Sequence, residues 1–250
     1  MFGESLVSPS TNRQFKRPLS GTLILVAGHA VPYRFDRLES DDGWFLKHFQ
    51  SGEGALYVDH VREGVRLAAE VINSVLLFAG GQTDSAAGPR SEGQGYWLIA
   101  EHFNWFGYPE VRERASTEEF SLDSFLNVIY GLCRYREITG SYPERTVAVG
   151  WKFKGPRFDL HRAAVRYPAT RFTYVGVNDP PRLAENIHFE TVRRHGFVTD
   201  PYGTEPEPAA KRRARNVFHR QHGYASSCPE LAGLLGHAGP ALYDGPLPWD

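Results

Sequence analysis

Four short, unbroken apolar runs, at residues 22–27, 74–79, 145–150 and 171–177, constrain this chain more than any other feature of its sequence. Leu23 to Ala27 and Val75 to Ala79 are continuous rather than alternating. That pattern is required of strands covered on both faces, as in a parallel sheet. The segments between the runs have helical spacing instead. Residues 55–72 place Val58, Val61, Val65, Ala68, Ala69 and Ile72 on one stripe. Ser91-Glu92 opens a second helix reaching about Phe106. Ser116 and Glu119 have capping-box spacing ahead of a third, which carries Leu122, Phe125, Leu126, Ile129 and Cys133 on one face. A fourth covers 157–166. Strands alternating with amphipathic helices predict an α/β fold, Rossmann-like and three-layered (α/β/α), with a doubly wound, mostly parallel sheet. The four runs are predicted to be neighbouring parallel strands.

Residues 1–20 are polar and read as a flexible N-terminal arm, and residues 21–180 as the α/β domain. Residues 181–250 are less regular. About 70 residues form only a marginal core alone, so they are predicted to be a helical extension packed on the same domain. Within them, Lys211 to Arg215 reads as a solvated helix face, with RNA or a protein partner as the alternative.

Composition limits the partners. The net charge of -1 over 250 residues provides no global field to recruit nucleic acid or an anionic membrane. The longest apolar runs fall far short of a bilayer span, and the first residues lack a signal-peptide core. The expectation is a soluble, cytoplasmic protein with no membrane or nucleic-acid partner. Cys133 and Cys228 match no metal spacing and are predicted to be buried free thiols rather than a disulfide, which suits a reducing compartment. The ten histidines include no HExxH, so no metal site is expected. Dinucleotide, Walker and nucleophile-elbow glycine motifs are all missing.

In doubly wound sheets ligands dock outside the carboxyl ends of the strands, and the polar positions of this chain cluster there. Gly28-His29 follows the first run, and Gly80-Gly81 the second, with Ser91-Glu92 just beyond. Glycines let a ligand approach the backbone, and a helix start offers free N–H groups to an anion. Ser121, Asp123, Ser124 and Asn127 form a polar cluster opening the third helix. Ser124 and Asn127, three apart, share a face. After the run at 145–150 come Lys154 and Arg157, which suit a phosphate or carboxylate.

In order and spacing, residues 20–180 resemble the YdcF-like family, also called domain of unknown function 218, to which SanA and ElyC belong. The resemblance rests on Gly28, Gly80-Gly81, Ser91-Glu92, Ser121-x-Asp123-Ser124-x-x-Asn127 and Arg157. The sequence departs from the family where Asp123 and Ser124 replace Asn and Thr, and where Lys154 replaces His. Arg162-Ala163 offers an alternative register for the family's Arg. Gly28-His29-Ala30, with Gly52, Glu53, Tyr57 and His60, approximates the family's fungal-type branch. The resemblance implies a Rossmann-like fold with a polar pocket, and it brings S-adenosylmethionine as a candidate ligand, since binding of that molecule has been proposed for a member.

The leading expectation is a small-molecule enzyme acting on an anionic, phosphate-bearing or nucleotide-like substrate, with hydrolysis as the candidate reaction. Glu92 would be the general acid or base, and His29 a second proton-transfer group. Lys154 and Arg157 would neutralise the anion, while the Gly81 N–H, Ser124 and Asn127 orient it; Gly28, Gly80 and Ser91 complete the set. Lys154 could shuttle protons near neutrality only if burial lowered its pKa. The alternative is a non-catalytic module for an adenosine-containing ligand such as S-adenosylmethionine. Cofactor and oligomeric state are left open. Either way, His29, Glu92, Asn127 and Arg157 are predicted to face one crevice.

Overall fold

The computed structural model describes residues 21–250; the predicted arm, residues 1–20, lies outside them. The four apolar runs form strands β1 (Thr22–Ala27), β4 (Ser74–Ala79), β6 (Arg145–Gly150) and β7 (Phe172–Gly176). A small hairpin, β2 (Val31–Pro32) with β3 (Trp44–Phe45), fills part of the segment after β1. A further strand, β5 (Ala115–Glu118), completes a five-stranded sheet of order β5-β4-β1-β6-β7, parallel throughout. Counted by appearance within that sheet, the order is 3-2-1-4-5, which reverses at β1 as doubly wound nucleotide-binding sheets do.

The strict alternation of side chains along a strand divides β1 between two cores. Leu23, Leu25 and Ala27 pack beneath α3 (Ser124–Thr139) and α4 (Gly155–Ala164). Ile24 and Val26 pack beneath α1 (Gly54–Glu70) and α2 (Glu92–His102). All five of these β1 side chains are buried, which explains why the run shows no alternation in sequence.

Strand β5 overturns one expectation. Ser116 caps no helix but pairs beside Leu77 at the sheet edge. The N-cap of α3 is Asp123, whose carboxylate accepts the Leu126 N–H at 2.9 Å. An edge strand needs little apolar surface, so Ala-Ser-Thr-Glu carried no strand signal. Helix α2 also stops short of Phe106. Asn104, Trp105 and Phe106 adopt left-handed backbone (φ 46°, 55° and 50°), a conformation that ordinary side chains adopt rarely. Trp105 is held there by burial and by an indole N–H donated to Glu101.

The C-terminal segment begins with α5 (Leu183–Thr199) and α6 (Pro206–Arg215), followed by the short turns α7 (Tyr224–Ser227) and α8 (Ala232–Leu235). Tyr202, Tyr224, Leu231, Leu247 and Trp249 join the core under α3 and α4. The Tyr224 hydroxyl donates to the buried Glu118 carboxylate at the end of β5. Cys133 and Cys228 are buried free thiols. Among the described residues no helix is long and apolar enough to cross a membrane.

Candidate functional site

A cavity of about 460 Å³ opens at the carboxyl end of the sheet, where the strand order reverses. Gly28 and His29 after β1, Glu92 on α2, Ser124 and Asn127 on α3, and Lys154 and Arg157 after β6 all line it. The four residues predicted to converge therefore do so. Helices α5 and α6 supply much of the remaining lining, including Arg193, Lys211 and Arg215.

Two glycines seat Glu92. A Cβ on Gly28 would lie 2.7 Å from the Glu92 Cβ, and one on Gly80 would lie 2.6 Å from both its Cβ and Oε2. Gly80 thus makes room for the carboxylate rather than for a ligand. The Thr83 hydroxyl donates to Glu92 Oε1 at 2.6 Å. Burial raises the Glu92 pKa, against the pull of that hydrogen bond and of Arg215, Lys47 and Lys154. Two predicted ligand contacts are already engaged elsewhere. The Gly81 N–H donates to the Ser121 carbonyl at 2.8 Å. Ser91 is fully buried, accepts the Gln94 N–H as the cap of α2, and donates to Glu119. Closing the backbone turn and the helix end takes precedence at both positions.

His29 sits among aromatic rings, near-parallel to Trp151 and edge-on to Tyr57 and His60. Burial, then the charge of Lys154, holds its pKa well below the usual histidine value, so the ring is neutral near pH 7. Its Nε2 has no hydrogen-bond partner among the described residues. Beside it the Tyr57 hydroxyl donates to Glu53 at 2.5 Å and accepts from Gln50. Burial also raises the pKa of Glu53, which makes it a second protonatable carboxyl in the lining.

Ser124 Oγ lies 2.8 Å from Nε2 of His161, a fully buried residue of α4. Burial, then Arg157, lowers the His161 pKa to about 3, and its Nδ1 has no partner among the described residues. A serine nucleophile needs a base nearer neutrality and a group that orients that base. This imidazole therefore positions the hydroxyl rather than activating it.

The cations define the site's electrostatics. Burial, followed by the charge of Arg157, brings the Lys154 ammonium down to about 7. Arg157 faces Glu190 of α5 at 3.1 Å, with both side chains only 7% exposed. The pair is off hydrogen-bonding geometry: Arg157 Nε and both Glu190 oxygens lack hydrogen-bond partners among the described residues. Arg162, the alternative register, instead bonds Asp159 and the Tyr167 carbonyl and is not part of the lining. Sequence reasoning missed the contribution of the C-terminal helices. The run Lys211–Arg215 is not simply a solvated face, because Lys211, Arg212 and Arg215 turn to the cavity. Nothing local to Glu190 or Arg193 marked either residue; only the docking of α5 gives them a role.

The chain is 27% identical over 263 aligned residues to the uncharacterized protein YOR238W of Saccharomyces cerevisiae, covering 82% of this chain and 86% of that protein. Since 82% of 250 residues exceeds the 180 that precede the C-terminal extension, the similarity reaches into the extension. No family model and no solved structure matches the chain.

Proposed function

We propose that this protein is an enzyme acting on a small anionic substrate, phosphate-bearing or nucleotide-like, by hydrolysis. The observation that carries the reading is that Lys154, Arg193, Lys211 and Arg215 line one cavity without an ion-pair partner among the described residues. Clustered like charges repel, and a bound anion is the simplest compensation. Glu92 lies within reach of that charge. With its pKa raised, it can hold a proton for a leaving oxygen and, once ionised, take one from water. Lys154, its pKa lowered to about 7 by burial, is a second acid, and neutral His29, whose pKa is held low, can position a water through its bare Nε2 but not deprotonate it. Ser124 and Asn127 orient the substrate, and Arg157 holds its charge. The buried free thiols fit a reducing, cytoplasmic setting. The residues that carry the resemblance to the YdcF-like family lie largely around this cavity, which supports placing the chain with that family.

A non-catalytic module for S-adenosylmethionine is favoured only by the aromatic lining of Phe45, Trp151 and Phe153. The sulfonium is itself a cation and sits badly beside the lysines and arginines. The test is turnover against a panel of phosphoesters and nucleotides, comparing wild type with Glu92→Gln. Hydrolysis of at least one ester, lost in Glu92→Gln while binding persists, is the expected result. Tight binding of adenosine compounds with no turnover anywhere would transfer the protein to the binding-module class.

A further inference from the structure

We propose that α5 and α6 complete a diphosphate site, so that the anion taken by this cavity carries two linked phosphates rather than one. This rests on the anionic-substrate reading above and specifies it. The cations come from two parts of the chain. Lys154 and Arg157 follow β6, whereas Arg193 projects from α5 and Lys211 and Arg215 from α6. Lys211 and Arg215 are four apart and share a helix face. Neighbouring cations depress one another: after desolvation, Arg157 and Arg193 lower Lys154, while Arg193 and Arg215 bring Lys211 down to about 8.

Local carboxylates do not balance this charge. Glu190 and Glu207 offset it only in part. Two acids of the lining are committed. Asp123 is bonded to Arg212 at 2.6 Å, and Asp200 accepts the backbone N–H groups of Thr204 and Glu205 at the start of α6. With two linked phosphates, one can face the cations that follow β6 while the other faces those of α5 and α6. Arginine and lysine on both sides can then each engage a phosphate, Arg through parallel N–H groups and Lys as a point charge.

The cap is held in place before any ligand arrives. The Asp123–Arg212 pair and the Arg215 Nη1 bond to the Leu122 carbonyl, at 2.7 Å, fasten α6 to the start of α3. Such anchoring keeps Lys211 and Arg215 aimed at the cavity and lowers the entropy lost on binding.

The experiment is calorimetric titration of the full chain at pH 7 with inorganic orthophosphate and with pyrophosphate, each at two salt concentrations. Pyrophosphate is expected to bind at least tenfold more tightly and with the steeper salt dependence. The double variant Arg193→Gln/Lys211→Gln changes two exposed side chains, so it should fold. It should bring pyrophosphate to within threefold of orthophosphate. Arg213→Gln, on α6 but outside the lining, should change neither probe. Orthophosphate binding with pyrophosphate no tighter would overturn the diphosphate site and leave the anionic-substrate reading intact. Equal losses in the double variant and in Arg213→Gln would overturn it as well, by reducing the effect to general surface charge. Failure of wild type to bind either probe would remove both readings.

Discussion

Glu190→Gln separates the structural from the ligand-binding role of the cavity's buried ion pair. Arg157 and Glu190 stand 3.1 Å apart, each 7% exposed. At an effective dielectric near 20, charges at that separation attract by about 5 kcal/mol. Their desolvation cancels much of this in the intact pair. Neutralising one partner leaves the other buried and uncompensated, at a cost of about 3–5 kcal/mol. The neighbouring cavity admits some water to Arg157, so the lower end, about 3 kcal/mol, is expected. For a chain of this size that corresponds to a Tm lower by roughly 6–12 °C. The measurement is urea unfolding of both proteins, read as a shift in midpoint at constant slope. The same substitution removes a negative charge from the anion site, so orthophosphate should bind Glu190→Gln more tightly than wild type. Arg157→Met/Glu190→Met should lose much less stability than the sum of its single variants, because an apolar pair replaces an ionic one. A stability loss under about 1 kcal/mol in Glu190→Gln, or weaker orthophosphate binding, would refute the reasoning.

Three further outcomes follow from the geometry. Sulfate, whose charge is fixed over the range, should bind best below pH 7 and weaken by up to about tenfold per pH unit above it. Lys154 must be protonated to attract the anion, and its pKa is about 7; Lys154→Gln should move the onset upward toward that of Lys211, about 8, and an unmoved onset would acquit Lys154. Gly80→Ala drives a methyl into Glu92 and should cost about 1–3 kcal/mol by overpacking while lowering turnover; unfolding indistinguishable from wild type would contradict the cradle. Ser124→Ala should raise KM with modest change in kcat, since His161 is too weak a base; a thousandfold fall in kcat would make Ser124 a nucleophile after all.

Much of the sheet was legible because its strands are buried on both faces, and such burial leaves a continuous apolar record in Leu23–Ala27 and Val75–Ala79. Strand β5 left no such record, since an edge position lets Ser116 and Thr117 stay half-exposed. The site was half legible for a related reason. His29, Glu92, Asn127, Lys154 and Arg157 follow strands or open helices, where architecture alone sends them to the crevice. Gly81 and Ser91 occupy equally suggestive positions, but backbone closure consumes their polar groups. Arg193, Lys211 and Arg215 face the cavity because of where α5 and α6 dock, a tertiary fact with no periodic trace in so polar a stretch.

That docking has a consequence for the order in which the protein matures on the ribosome. The sheet and its first four helices are encoded by residue 176, and Arg157 emerges well before Glu190, Lys211 and Arg215. Until α5 arrives, Arg157 lacks its Glu190 partner and stays hydrated. Arrival of α5 strips that water and supplies Glu190 in the same event. A chain truncated after residue 180 should therefore have an open, wet crevice. Protection of the β1 and β4 amides from exchange should precede the closing of the cavity.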